Sequence, residues 1–116
     1  MKDIRKEIVF NNKKYSMVFN LNVMEELQNK YGSLQEWLNR VGTQSLDNID
    51  ITALKYGLTL MFNEGIDIEN DNLSNEEKKP FLTEKQVGRM ITDELITMFN
   101  KTMEESTKID DLPKNE

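Results

Sequence analysis

The sequence predicts an α+β protein, mainly α, in which an N-terminal β-hairpin packs on four to five short helices in a single domain. Three observations carry that class. Residues 4 to 19 alternate apolar and polar side chains as strands do, and from residue 22 onward apolar side chains recur every three or four positions as on helices. The change of period falls inside one stretch, VFNLNVMEELQNKYGSLQEWL, Val18 to Leu38. At 116 residues, the chain has room for one core and not for two domains of ordinary size.

The hairpin, 4–19, flanks Asn11-Asn12-Lys13-Lys14, where asparagine tolerates left-handed backbone and the lysines mark solvent. Tyr15, Met17 and Phe19 share one strand face and Ser16, Val18 and Asn20 the other, which makes the first the buried face. A lone hairpin is marginal in water, so helices have to cover it. The first runs over 22–31 behind an Asn22 cap, with Val23, Met24, Leu27 and Tyr31 as its apolar stripe and Gly32 as its stop. The second, 33–41, opens on the capping box Ser33-Leu34-Gln35-Glu36 and carries Leu34, Trp37, Leu38 and Val41 before Gly42.

After a loop over Thr43 to Asn48, Ile51, Leu54, Leu58, Met61 and Phe62 mark a third helix over 50–63, closed by Gly65. Ala53 and Gly57 lie four apart on it, which either admits a close neighbour or marks a weak spot in the helix. Residues 66–80, IDIENDNLSNEEKKP, are acidic and amide-rich and read as a mobile loop, because little burial offsets the entropy of ordering them. A second capping box, Thr83 with Gln86, starts a helical region over 83–105. It is one bent helix or two joined near Thr92-Asp93, and the cap-type residues there favour two. The remainder, 106–116, has no sustained periodicity and reads as a disordered tail.

Composition removes several function classes. With 21 acidic against 15 basic side chains the formal charge is −6, which argues against nucleic acid and anionic membrane surfaces as partners. Cysteine and histidine are absent. That leaves no disulfide framework, suits a reducing cytoplasm, and removes the commonest general base and the nitrogen ligand of most transition metals. The N-terminal MKDIRKEIVF lacks the apolar run of a signal peptide, and no later segment reaches membrane-spanning length.

Asp67, Glu69 and Asp71 imitate the first ligands of a calcium loop, but Asn72 replaces the turn glycine and Lys78 the bidentate glutamate, so they read as solvated loop. The adjacent pairs Glu25-Glu26, Glu76-Glu77 and Glu104-Glu105 point in different directions on a helix and form no acid/base couple. The five glycines are scattered singly, so no phosphate loop is present. Thr83 to Glu105 carries three cations and five acids, a net −2 that argues against a DNA-reading helix pair. No catalytic, cofactor-binding or metal-binding residue is assigned. The chain does hold seven methionines, and Met90, Met98 and Met103 join Phe99 on the last helical segment. Core filling is the plain reading of that stripe. A partner-facing surface is the alternative, since a thin core hides only part of it and Met adapts to varied apolar partners.

The order of these pieces resembles the tail assembly chaperones of long-tailed bacteriophages and prophages. The resemblance rests on the hairpin running into VFNLNVMEELQNKYGSLQEWL, on LKYGLTLMFNEG, and on PFLTEKQVGRMITDELITMFNKTMEES, and spans residues 4 to 105. It implies a non-enzymatic protein of the bacterial host cytoplasm that binds the phage tape measure protein, keeps it soluble while tail tube protein assembles around it, and self-associates as a homo-oligomer. A structural tail-completion or connector subunit of the virion is the other reading. The resemblance transfers no binding motif residue by residue; the contact residues assigned here are those of the stripe, Met90, Leu95, Met98, Phe99 and Met103.

Overall fold

A computed structural model of the chain describes residues 4–42 and 48–110, with the side chains of residues 4, 102 and 104–110 excepted. Residues 43–47 of the loop expected before the third helix, and 111–116 of the expected disordered tail, lie outside the described residues. The elements follow in the order β1 (Ile4–Phe10), β2 (Lys13–Phe19), α1 (Leu21–Tyr31), α2 (Leu34–Val41), α3 (Ile51–Asn70), α4 (Glu84–Met90) and α5 (Asp93–Asp110). The result is an N-terminal antiparallel hairpin packed against five helices, and mainly helical.

β1 and β2 pair from Ile4 opposite Phe19 to Phe10 opposite Lys13. Asn11 and Asn12 make the turn at φ of 52° and 65°, the double left-handed geometry whose twist matches that of the flanking strands. Tyr15, Met17 and Phe19 face the core as their alternation requires, and Tyr15 meets Phe62 edge-on at 6.1 Å between ring centres. The opposite face is not left to solvent, however: Val18 and Asn20 are buried as well. Asn20 reaches Glu64 of α3, which continues past the point where the sequence ends it.

Gly65 does not close α3. The Ser16 carbonyl oxygen of β2 lies where a Gly65 side chain would begin, 2.3 Å from the position of a Cβ, so the glycine allows strand and helix to touch backbone to backbone. The helix then runs on to Asn70 and buries Ile66 and Asn70. The first five residues of the segment read as a loop are therefore its last turn. At its other end Asp50 caps the helix by accepting the Ala53 amide at 3.1 Å.

α1 also begins earlier than its Asn22 cap predicts. Asn20, still extended, accepts the Val23 amide on its side chain at 3.2 Å and the Met24 amide on its carbonyl at 3.0 Å. Asn22 sits inside the first turn, where both asparagines donate to Glu64 Oε2, at 2.8 and 3.0 Å, and tie α1 to α3. At the start of α2, Ser33 accepts the Glu36 amide at 3.0 Å, but the glutamate stays exposed and returns no bond, so half of the expected capping box forms.

Trp37 of α2 is fully buried at the centre of the core. Its indole N–H donates to the Ala53 carbonyl at 2.9 Å, and its ring lies over Gly57. The Ala53–Gly57 spacing thus admits a close neighbour, and that neighbour is an indole. Phe99 of α5 meets the tryptophan edge-on at 5.8 Å between ring centres. Thr83 and Gln86 form the complete capping box of α4, at 2.8 and 3.1 Å. The helical region breaks at Ile91, and Thr92 starts α5 by accepting the Leu95 amide at 3.1 Å. α5 reaches Asp110, which places residues 106–110 of the expected tail in the helix.

A candidate docking groove beside a clamped strap

Asn63 and Asn70 lie two turns apart on one face of α3. Each carboxamide holds both peptide groups of one residue in the chain returning towards α4. Asn70 Nδ2 donates to the Lys79 carbonyl and Oδ1 accepts the Lys79 amide, both at 2.9 Å. Asn63 Nδ2 donates to the Leu82 carbonyl at 3.0 Å, and its Oδ1 accepts the Leu82 amide at 2.8 Å. An amide side chain is the one neutral group that offers a donor and an acceptor at peptide spacing, so two asparagines replace a missing strand. Lys79 is further tied to Glu69 at 3.0 Å.

Between the clamps stand Pro80, whose ring fixes φ and which has no N–H to satisfy, and Phe81. Phe81 is 56% exposed although both of its flanks are pinned. A large apolar ring held out into water from an immobilised backbone gains nothing by burial in this chain, and an aromatic in that position is the usual form of an interface anchor.

A groove of about 480 Å³ opens beside it, floored by Tyr15, Ile66, Pro80, Phe81 and Leu82 and rimmed by Lys13, Lys14, Lys79 and Gln86. It continues past Leu82 and Gln86 into a shallower hollow of about 220 Å³ that reaches Phe10, Arg89 and Met90. On the other flank of Phe81 a second hollow is bordered by Leu60, Asn63, Glu64 and Asp67. Charge is divided across the ring. Lys13, Lys14 and Arg89 lie on the groove side and make no ion pair with any described residue, while Glu64 and Asp67 lie on the other.

The stripe assigned from sequence is split by the structure. Met90, Leu95 and Phe99 are at most 2% exposed and belong to the core; Met98 and Met103 are half-buried against the same core. Leu95 and Phe99 therefore present no surface to a partner, because α5 spends its apolar face on the core beside Trp37 and the hairpin, and Met90, the last residue of α4, is buried in the same core. Met90 alone among the three borders the groove, at its shallow end. Asp67 and Glu69 lie in the last turns of α3 and Asp71 caps it, so the acidic trio follows a helix and not a cation-binding loop. Phe81 is not among the residues assigned from the sequence, and Lys13 and Lys14 enter that reading only as solvent markers of the hairpin turn. A proline and an unpatterned phenylalanine immediately before a capping box was the signal on offer.

A second polar cluster joins α1, α2 and α3. Tyr31 and Tyr56 meet edge-on at 6.0 Å, with Arg40 over the first ring and Lys30 over the second. Burial, reinforced by the Asp50 carboxylate, raises the Tyr31 hydroxyl above its ordinary pKa; burial, with Glu26, does the same for Tyr56. The Ala53 amide holds the Asp50 carboxyl below its usual range, helped by Arg40 at 3.1 Å. These contacts tie the end of α2 to the start of α3, where Asp50 N–H also donates to the Arg40 carbonyl.

Among the described residues no helix is long and apolar enough to cross a membrane. No protein-family model, no curated protein and no solved structure matches the chain.

Proposed function

We propose that this protein works by docking another polypeptide and that it is a tail assembly chaperone of a long-tailed phage or prophage, holding the tape measure protein soluble in the bacterial host while tail tube protein assembles around it. The observation that carries the docking part is Phe81, kept exposed over an apolar groove by two asparagine clamps. The choice of partner rests on the resemblance over residues 4 to 105. The contact surface proposed here is accordingly the Lys79–Leu82 strap rather than the stripe of Met90, Leu95, Met98, Phe99 and Met103. An interface of one anchor and a small groove suits temporary holding, because few buried side chains give a fast off-rate and a competing tube subunit can displace them.

Co-expression with the tape measure protein of a long-tailed phage, which this reading expects to be encoded beside this gene, is the test. The chaperone raises the soluble yield of that protein and co-purifies with it, and Phe81→Ser reduces both. Unchanged yield with no co-purification overturns the proposal. So does finding the protein at stoichiometric level in purified virions by mass spectrometry, which would make it a structural tail-completion or connector subunit.

A further inference from the structure

The groove has a charge opposite to that of the protein around it. Lys13, Lys14, Lys79 and Arg89 against the single carboxylate Glu69 leave it at +3, on a chain whose formal charge is −6. Glu69 is already engaged by Lys79, so the uncompensated cations are Lys13 and Lys14 at the hairpin end and Arg89 on α4. Like charges gathered at the rim of an apolar hollow repel one another, and an acidic partner relieves that repulsion.

We propose that this groove docks an acidic segment of another polypeptide, one in which apolar side chains sit beside carboxylates. The apolar side chains pack on Tyr15, Phe81 and Leu82, and the carboxylates meet Lys13, Lys14 and Arg89. Only a short segment satisfies both demands. A nucleic acid strand or an anionic membrane would lie across the acidic remainder of the surface as well as the groove, and the net charge opposes it. Glu64 and Asp67, on the far flank of Phe81, fix the orientation: the acidic residues of the segment lie on the Lys13 side, and a neutral or basic residue passes over the Leu60 side. This inference deepens the docking function proposed above and needs only that the protein binds a polypeptide there; the phage assignment is not required.

The probe is a short fluorescein-labelled synthetic peptide of Leu, Asp and Glu, titrated with the purified full-length protein and read by fluorescence anisotropy. Binding is expected at low ionic strength, weakening as salt screens the rim over a Debye length of about 8 Å. A peptide with Lys at every acidic position, and one with Ser at every Leu, should both fail to bind. Lys13→Glu with Lys14→Glu should weaken binding about tenfold or more, as attraction becomes repulsion at two sites. Phe81→Ser should also weaken it several-fold, and Arg5→Glu with Lys101→Glu, the same charge change away from the groove, should leave it within about twofold. All of these side chains are exposed, so circular dichroism melts of each variant should match the wild type.

Failure of the acidic peptide to bind, equal binding of the Lys peptide, or indifference to the Lys13/Lys14 reversal overturns the proposal. So does sedimentation showing a dimer that the same reversal dissociates, which would give the groove to a second copy of this chain. Rescue of the tape measure protein without peptide binding refutes the groove chemistry and leaves the chaperone function standing; the opposite pair of results does the reverse.

Discussion

Gly57→Ala sets two known magnitudes against each other. Alanine in a helix interior is worth about 1 kcal/mol more than glycine, so on helix propensity alone the change stabilises. The added Cβ, however, would lie 2.2 Å from Trp37 Cζ2 and 2.8 Å from Trp37 Cε2, where carbon atoms ordinarily rest about 3.5–4.0 Å apart. The indole is held in place: it is fully buried, its N–H is bonded to the Ala53 carbonyl at 2.9 Å, and Phe99 packs edge-on against it. Overpacking of this kind costs about 1–3 kcal/mol, and stretching the indole bond adds about 1 kcal/mol. The clash wins, for a net loss of about 1–3 kcal/mol. Urea unfolding followed by far-UV circular dichroism gives the number, and tryptophan fluorescence reports on the displaced ring. Gly88→Ala is the control, because its Cβ meets nothing nearer than Lys55 Cδ at 3.5 Å, an ordinary contact. It should stabilise by about 0.5–1 kcal/mol. A Gly57→Ala protein as stable as Gly88→Ala would refute the packing of Trp37 on α3.

Phe99→Ala should cost about 3–5 kcal/mol by urea unfolding, as expected for an aromatic removed from a core, whereas an unchanged midpoint would return Phe99 to the surface. Asn70→Ala leaves both peptide groups of Lys79 without their partners and should cost about 1–3 kcal/mol; hydrogen exchange of the Lys79 amide should accelerate while that of Leu82, held by Asn63, stays slow. Asp50→Ala should cost about 1 kcal/mol at neutral pH through loss of the α3 cap. Because the folded state lowers the Asp50 pKa from its ordinary 3.8, its charge stabilises the fold above that value and stops doing so as the pH falls through the folded pKa, so the gap between wild type and Asp50→Ala should narrow in acid melts.

The elements that were legible are those whose signals are local. The Thr83-Gln86 capping box and the break before Asp93 each depend on a few neighbouring residues and form where the sequence places them; the hairpin turn falls within the expected Asn11–Lys14 stretch but takes only Asn11 and Asn12, with Lys13 and Lys14 already paired in β2. α3 was cut short because a lone glycine in an amide-rich stretch reads as a stop. What decides its role is the Ser16 carbonyl, far away in sequence. The methionine stripe has the opposite history. Its spacing correctly marks an apolar face on α5, but periodicity does not say whether another chain or this chain's own Trp37 covers that face. The groove was hidden for a related reason: its cations come from β2 and α4 and its anchor from the strap, so no window of sequence contains it.

Because Lys79 and Leu82 are each tied to α3, the excursion between Asn70 and Lys79 begins and ends at one fixed place. Among the described residues its interior is braced by its own short-range bonds, such as those from Ser74 to Glu77. The length of that excursion is therefore decoupled from everything on either side. Doubling it would cost about 0.6 kcal/mol of closure entropy and leave Phe81 where it stands, so residues 72–78 are the place where insertions, tags or divergent sequence would be tolerated without disturbing the rest of the molecule.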